Sequence, residues 1–145
     1  MGVENEKHDG LMAALGMEMV EVTAERVVLS WTVQSCHLQP MGIVHGGVHC
    51  AVVETACSVG AWVAAQARDP SKGVVGLDNH TTFVRATRVG QKLTAVATPI
   101  TRGRTTQVWE ATIRDEQDRV VATGRLRLLV VDGALGQEGG APSAV

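Results

Sequence analysis

The stretch from Val48 to Ala67 contains no proline and one glycine, Gly60, among residues that otherwise favour helix. With Gly46-Gly47 opening it, a helix from Gly46 to Ala67 runs about 33 Å at roughly 1.5 Å per residue. Its apolar members, Val48, Cys50, Ala51, Val52, Val53, Ala56, Cys57, Val59, Ala61, Trp62, Val63, Ala64 and Ala65, do not keep to one stripe. A helix that is apolar on most sides has to be buried. The rest of the chain is therefore expected to wrap this helix. Glu54 is the one carboxylate inside it, and the place to look for chemistry.

The 145 residues suffice for one domain with a real core. A composition of 45 % hydrophobic and 19 % charged residues is that of a globular chain. A net charge of -2 offers no general attraction to nucleic acid or anionic membrane, so an anionic ligand needs local arginines. No charged-then-apolar leader is read at the N-terminus, where Glu4, Glu6 and Asp9 sit. His49, Glu54, Thr55 and Ser58 make the central helix too polar for a bilayer. Cys36, Cys50 and Cys57 are too few for a disulfide framework, and the two on the helix read as small apolar packing. A cytoplasmic setting is expected.

Residues 1–9 are polar and expected to fray. Gly10 to Leu15 reads as a short helix ended by Gly16. Met17 to Val22 and Arg26 to Val33 read as short strands, joined by a link of hairpin length. Ser35 to Val44, with Pro40 and Gly42, is a loop leading to the long helix, and Arg68 to Gly73 ends that helix. Val74 to Arg85, Lys92 to Thr101, Thr105 to Asp115 and Arg119 to Val131 are rich in Val, Thr and Ile. Within the last, Arg125-Leu126-Arg127-Leu128 alternates as a half-buried strand does. Gly133 to Val145 is rich in Gly, Ala, Ser and Pro and reads as a disordered tail, leaving residues 1–132 as a single domain. The class is α+β, with short connections that imply an antiparallel sheet. A lone helix cannot cover both faces of so many strands. The sheet is expected to curl around it, with a free edge available to pair in a dimer.

Gln39, then His45-Gly46-Gly47, then Glu54 nine residues after the histidine and Ser58 one turn later resemble the hotdog-fold acyl-CoA thioesterases. Within these the pattern is most similar to the phenylacetate-pathway and 4-hydroxybenzoyl-CoA thioesterase branch, which carries a glutamate on the helix. The resemblance runs from about Gly16 to Val131. It takes in Gly76-Leu77-Asp78-Asn79-His80-Thr81-Thr82-Phe83-Val84-Arg85 after the helix and Arg102-Gly103-Arg104-Thr105-Thr106-Gln107-Val108-Trp109 in the last hairpin. It implies a hotdog fold, an antiparallel curved sheet wrapped around one long central helix. It also implies hydrolysis of an acyl- or aroyl-CoA to free acid and coenzyme A, with no cofactor beyond the coenzyme A of the substrate. Paired subunits, at least a dimer and by resemblance a tetramer, would set two central helices side by side with composite sites at the seam.

The residues support that chemistry on their own terms. Gly46 and Gly47 open a helix whose first N–H groups lack partners and carry partial positive charge. A thioester carbonyl held there would be polarised as in an oxyanion hole, and a side chain would block its approach. Glu54 lies about 12 Å further along the same helix. If both act on one carbonyl, a second subunit must supply one of them. In the apolar surroundings expected for it, Glu54 should titrate above its ordinary value. Nucleophile and general base both suit it, and the residues leave that choice open.

The resemblance assigns the remaining roles. Ser58 matches a small hydroxyl that orients Glu54 or the water. Gln39 matches a donor to the carbonyl or thioester, and His45 fixes the loop by a backbone hydrogen bond. Gly47 joins the substrate-binding set. Asn79 and His80 stand where the family often has a run of asparagines; Asp78-Asn79-His80 departs from it. Arg104, Thr105 and Thr106 match the nucleotide-contact region, and Arg85 belongs to the cationic rim that coenzyme A phosphates require. Arg88, Arg102, Arg125 and Arg127 fall in the same half, where a solvated strand face is the alternative for each. Trp62 and Phe83 suit either an acyl pocket or the core.

Other readings were weighed. His45, His49 and Glu54 would be a zinc set if spaced His-Glu-x-x-His, which they are not, so no metal is expected. Cys50 or Cys57 as nucleophile is disfavoured because burial leaves a thiol inert. A hotdog enoyl-CoA hydratase would need His49 or His80 in its site. A non-catalytic acyl-CoA-binding protein would have no use for Glu54 opposite Gly46.

Overall fold

The computed structural model describes residues 10–133. The fraying expected for residues 1–9 and the tail expected from Gly133 fall outside these, save Gly133 itself. That residue lies in a turn, its N–H donating to Ser71 O at 2.6 Å. The elements run α1 (Leu11–Ala14), β1 (Glu18–Val22), β2 (Val27–Thr32), a 3-10 turn (Ser35–His37), α2 (Gly46–Arg68), β3 (Lys72–Phe83), β4 (Lys92–Arg102), β5 (Thr106–Arg114) and β6 (Val120–Asp132). This is the expected succession, with ends shifted by one or two residues.

All six strands form one antiparallel sheet, ordered β1-β2-β4-β5-β6-β3. Consecutive strands are neighbours except where α2 intervenes and at β3. The strand after the helix goes to the far edge, pairing only with β6, and the chain then returns to the middle as β4. Bulges at Met19/Glu21, Gly76/Asp78 and Pro99/Thr101 bend β1, β3 and β4. Each adds local twist, and the sheet curves around α2.

Alternation chooses what faces the helix. Leu93, Ala95 and Ala97 of β4, Trp109, Ala111 and Ile113 of β5, and Ala122, Leu126 and Leu128 of β6 are all buried. The alanines keep the concave face shallow, so α2 settles close to the strands. Gly60 has the same purpose: a Cβ there would lie 2.4 Å from Cζ3 of the Trp109 indole. That indole donates to Gln107 Oε1 at 2.8 Å, and Gln107 Nε2 donates to Ala61 O at 3.1 Å. The buried amide is fully used, and it pins β5 to mid-helix.

Two expectations about α2 need correction. It is not buried on most sides: Gly47, Glu54 and Trp62 are exposed, with Ala51, Thr55, Ser58 and Val59 partly so. One sheet can cover only one side of a rod, and the rest of the apolar girth is left uncovered. Nor do its polar residues bar it from a bilayer, since by length and composition alone α2 could cross one. Its buried face, from Val48 to Ala65, lies in the sheet's concavity instead.

Candidate active site

The loop before α2 is held by a histidine that the sequence reading passed over. His37 is 1 % exposed. Its Nδ1 accepts from Gln34 N–H at 2.9 Å, so Nε2 carries the proton and donates to Leu15 O at 2.7 Å. Its carbonyl accepts from His45 N–H at 2.8 Å. One residue thereby ties the end of α1 and the 3-10 turn together through its ring, and the start of α2 through its carbonyl. The sequence offers only a histidine between Cys36 and Leu38 in the loop, too little to separate it from a solvated one.

Beyond it the chain makes a narrow hairpin. Gln39 N–H donates to Ile43 O and Gly42 N–H to Gln39 O, both at 2.9 Å, and Gly42 takes the left-handed φ of 79°. The Gln39 side-chain oxygen accepts from Met41 N–H, and its NH2 group has no acceptor among the described residues. Gln39 and Gly46 line one cavity of about 300 Å³ with His49, Phe83 and Arg85.

At the helix mouth, His45 is the cap. Its Nδ1 accepts from Gly47 N–H at 2.8 Å, while Val48 N–H donates to His45 O at 2.9 Å. Gly47 is thus occupied by the cap, and its amide is withdrawn from the substrate-binding set. The Gly46 N–H has no partner among the described residues and keeps the partial positive charge of a helix start. Glycine is required here for a reason other than carbonyl access. A Cβ on Gly46 would lie 2.6 Å from Cε2 and Cζ of Phe83, and one on Gly47 would lie 2.8 Å from His45 Nδ1.

Glu54 stands two turns further on, about 12 Å along the axis. The apolar surroundings expected for it are absent within the chain: it is exposed, on the flank of α2 beside β3. Its Oε1 lies over β3, where a Cβ on Gly76 would meet it at 3.4 Å. Ser58, one turn beyond, shares that side and is partly exposed. The chain brings Gln39, Gly46 and Arg85 together, and holds Glu54 and Ser58 apart from them.

Other expected residues lie elsewhere. Asn79 Nδ2 donates to Cys50 O at 3.0 Å and its Oδ1 accepts from Thr81 Oγ1 at 2.6 Å, so it staples β3 to α2 and is not free for a ligand. His80 lines a different cavity, of about 350 Å³, with Glu110 and Arg125. The period of a strand turns it to the opposite face of β3 from Asn79. Arg104, in the β4–β5 turn with Thr105 and Thr106, lines a third cavity of about 320 Å³ with Ala65, Arg68 and Lys72. Ala65 is nineteen residues past Gly46, so this cavity lies on the order of 28 Å from the mouth along the helix. The other arginines have partners: Arg102 with Glu25 at 2.6 Å, Arg127 with Asp78 at 2.8 Å.

Electrostatics separate the titratable groups. Burial pushes the Cys57 thiol up to about 12, with the Glu110 charge adding to it, so it stays protonated and inert at neutral pH. Burial pulls His49 down to about 4, leaving its ring neutral. Among the described residues no three His, Cys, Asp or Glu side chains converge as a metal site.

Residues 41–122 match the family model described as the thioesterase superfamily. The chain is 34 % identical to the 1,4-dihydroxy-2-naphthoyl-CoA hydrolase of Listeria monocytogenes, over 83 % of this chain and 95 % of that one. Among solved structures it resembles a Haemophilus influenzae thioesterase (33 % identity, TM-score 0.80, 90 % of this chain and 89 % of that one). It also resembles AziG of S. sahachiroi (39 % identity, TM-score 0.78, 83 % of this chain and 95 % of that one).

Proposed function

The chain belongs to the thioesterase superfamily, a hotdog-fold hydrolase of coenzyme A thioesters, and from that premise we propose that it hydrolyses an acyl- or aroyl-CoA at a site shared by two subunits. One observation carries the reading. The unpartnered Gly46 N–H and the free NH2 of Gln39 line one cavity, while Glu54 projects from the uncovered side of the same helix about 12 Å away.

In this reading the thioester oxygen accepts from Gly46 N–H and Gln39 Nε2, and the charge it gains on attack is stabilised there. Glu54 of a neighbouring copy acts on the carbonyl carbon. As a nucleophile, its carboxylate forms the new C–O bond, the C–S bond breaks, coenzyme A leaves as thiolate, and water then opens the anhydride. As a general base, it takes a proton from water, whose oxygen attacks directly. Ser58, one turn past Glu54, orients the carboxylate or the water. The exposed stripe Glu54, Ser58 and Trp62 is the seam where a second α2 lies alongside, and the unpaired edge of β3 continues the sheet into the partner. A dimer is the minimum and a tetramer fits. Arg104, Thr105 and Thr106 can meet the coenzyme's nucleotide only from another subunit. The setting is cytoplasmic.

Release of free thiol from a panel of acyl- and aroyl-CoA esters tests the reaction. Hydration of an enoyl-CoA without thiol release would establish the hydratase, with His49 as its base, and binding without turnover would establish a carrier. Mixing tests the shared site. A Glu54→Ala chain and a Gln39→Ala chain, unfolded together and refolded, rebuild one intact site in each mixed dimer. Activity above the sum of the two parents is expected; none above it would place both groups in a single chain.

A further inference from the structure

We propose that the His49 imidazole sets substrate preference, hydrogen-bonding a hydroxyl group on an aromatic acyl part of the thioester. This rests on the hydrolase reading, since it takes the carbonyl to sit at the Gly46 amide. His49 follows Gly46 by three residues, on the same helix face, and lines the same cavity. It is 3 % exposed, and its Nδ1 meets no hydrogen-bond partner.

The other two histidines around this loop are employed. His37 uses both ring nitrogens and His45 caps the helix. His49 does neither. An unpaired buried imidazole costs free energy that an apolar side chain of the same shape would not, so its presence calls for a partner that arrives from outside. The Nε1 of Trp31, whose ring centre is 6.5 Å from that of His49, is likewise buried and unpartnered.

The chemistry of the pocket selects the partner. Burial keeps the ring neutral at pH 7, with one nitrogen donating and the other accepting. Nδ1 as placed has almost no accessible surface, so the ring meets a ligand through Nδ1 only after a turn about χ2. A hydroxyl both donates and accepts, so it satisfies either edge. A carboxylate or phosphate, which only accepts, would use the one N–H of a neutral ring and leave its acceptor nitrogen unpaired, and is better met by Arg85 at the rim. Phe83, with its ring centre 6.2 Å from that of His49 and its edge against Gly46, and Ile43 supply apolar wall for a flat ring. A cavity of about 300 Å³ is at the small end of ligand sites, room for an aroyl group and not for a nucleotide.

The test compares benzoyl-CoA with its 2-, 3- and 4-hydroxy derivatives by free-thiol release, reading the ratio of kcat/KM within each protein. The wild type should favour at least one hydroxy isomer by about 10- to 100-fold. In His49→Phe that ratio should collapse to within about threefold, whatever the absolute rate, and His49→Gln should recover part of it. No preference in the wild type, or a preference that survives His49→Phe, overturns the proposal. Absence of thiol release from every ester, benzoyl-CoA included, instead brings down the hydrolase reading beneath it.

Discussion

Along the side of α2 turned to the sheet, Val52, Val53, Ala56, Cys57 and Ala61 have no exposed surface at all. Along its more exposed flank, Glu54, Ser58 and Trp62 follow one another at single-turn spacing, with Trp62 49 % exposed. The inner side is a matter of shape. Small residues and one glycine let a helix lie close to the strands, and each contact is complete within the chain. The exposed flank holds the carboxylate, which reaches over Gly76 of β3, and the half-exposed Trp62 ring. One helix is thus asked for two things, stability from one face and chemistry from the other, and the two should respond separately to substitution.

The sharpest way to break that division is Glu54→Ala. Loss of kcat by about a thousandfold, on the order of 4 kcal/mol of barrier, is expected with an unchanged thermal midpoint. A variant that melts early would show that Glu54 serves the fold after all. Lower pH probes the cavity side through His49. Its pKa near 4 lies below the unfolded value of 6.5, so the unfolded chain binds the proton first. Stability is therefore full above pH 6.5 and falls as pH drops toward about 4, by roughly 3 kcal/mol at most. Urea unfolding at pH 7 and pH 5 measures the slope, and His49→Phe should flatten it.

Gly60→Ala tests the inner side alone. Alanine is the better helix former, yet its methyl would strike the Trp109 ring, so a net loss of about 1–2 kcal/mol is expected in denaturant melts, with kcat unaltered. The smallest change is expected from Arg104→Ala, at the far end of the helix. KM should rise about threefold, under roughly 1 kcal/mol, with neither kcat nor stability moved. An effect on kcat would bring that turn into the reacting centre.

Comparison of the two faces also explains which residues could be read in advance. Gly46 and Glu54 stand out as candidates in the sequence because a glycine pair at a helix start and a lone carboxylate in an apolar run are local patterns, whereas Gln39 and Ser58 stand out only through the family resemblance. The use of Asn79 as a staple to Cys50 is not legible there, since the same side chain on a strand can point to a helix or to a ligand. His80 and Arg104 are substrate-binding candidates by resemblance, and strand alternation and helix length set their cavities apart from the one at the helix mouth. The roles of His37 and Phe83 are not local either: each acts on a residue far from it in sequence, His37 on Leu15 and Phe83 on Gly46.

Hydrophobic period, glycine and proline placement were enough to determine the long helix, the six strands and the order in which they come, because these depend on neighbours within a few residues. Only the tertiary structure decided that β3 closes the far edge of the sheet, that its Phe83 ring comes down on Gly46, and that one side of α2 stays open. Those outcomes belong to contacts between distant segments, chosen by the packing of the whole chain, and no local pattern carries them.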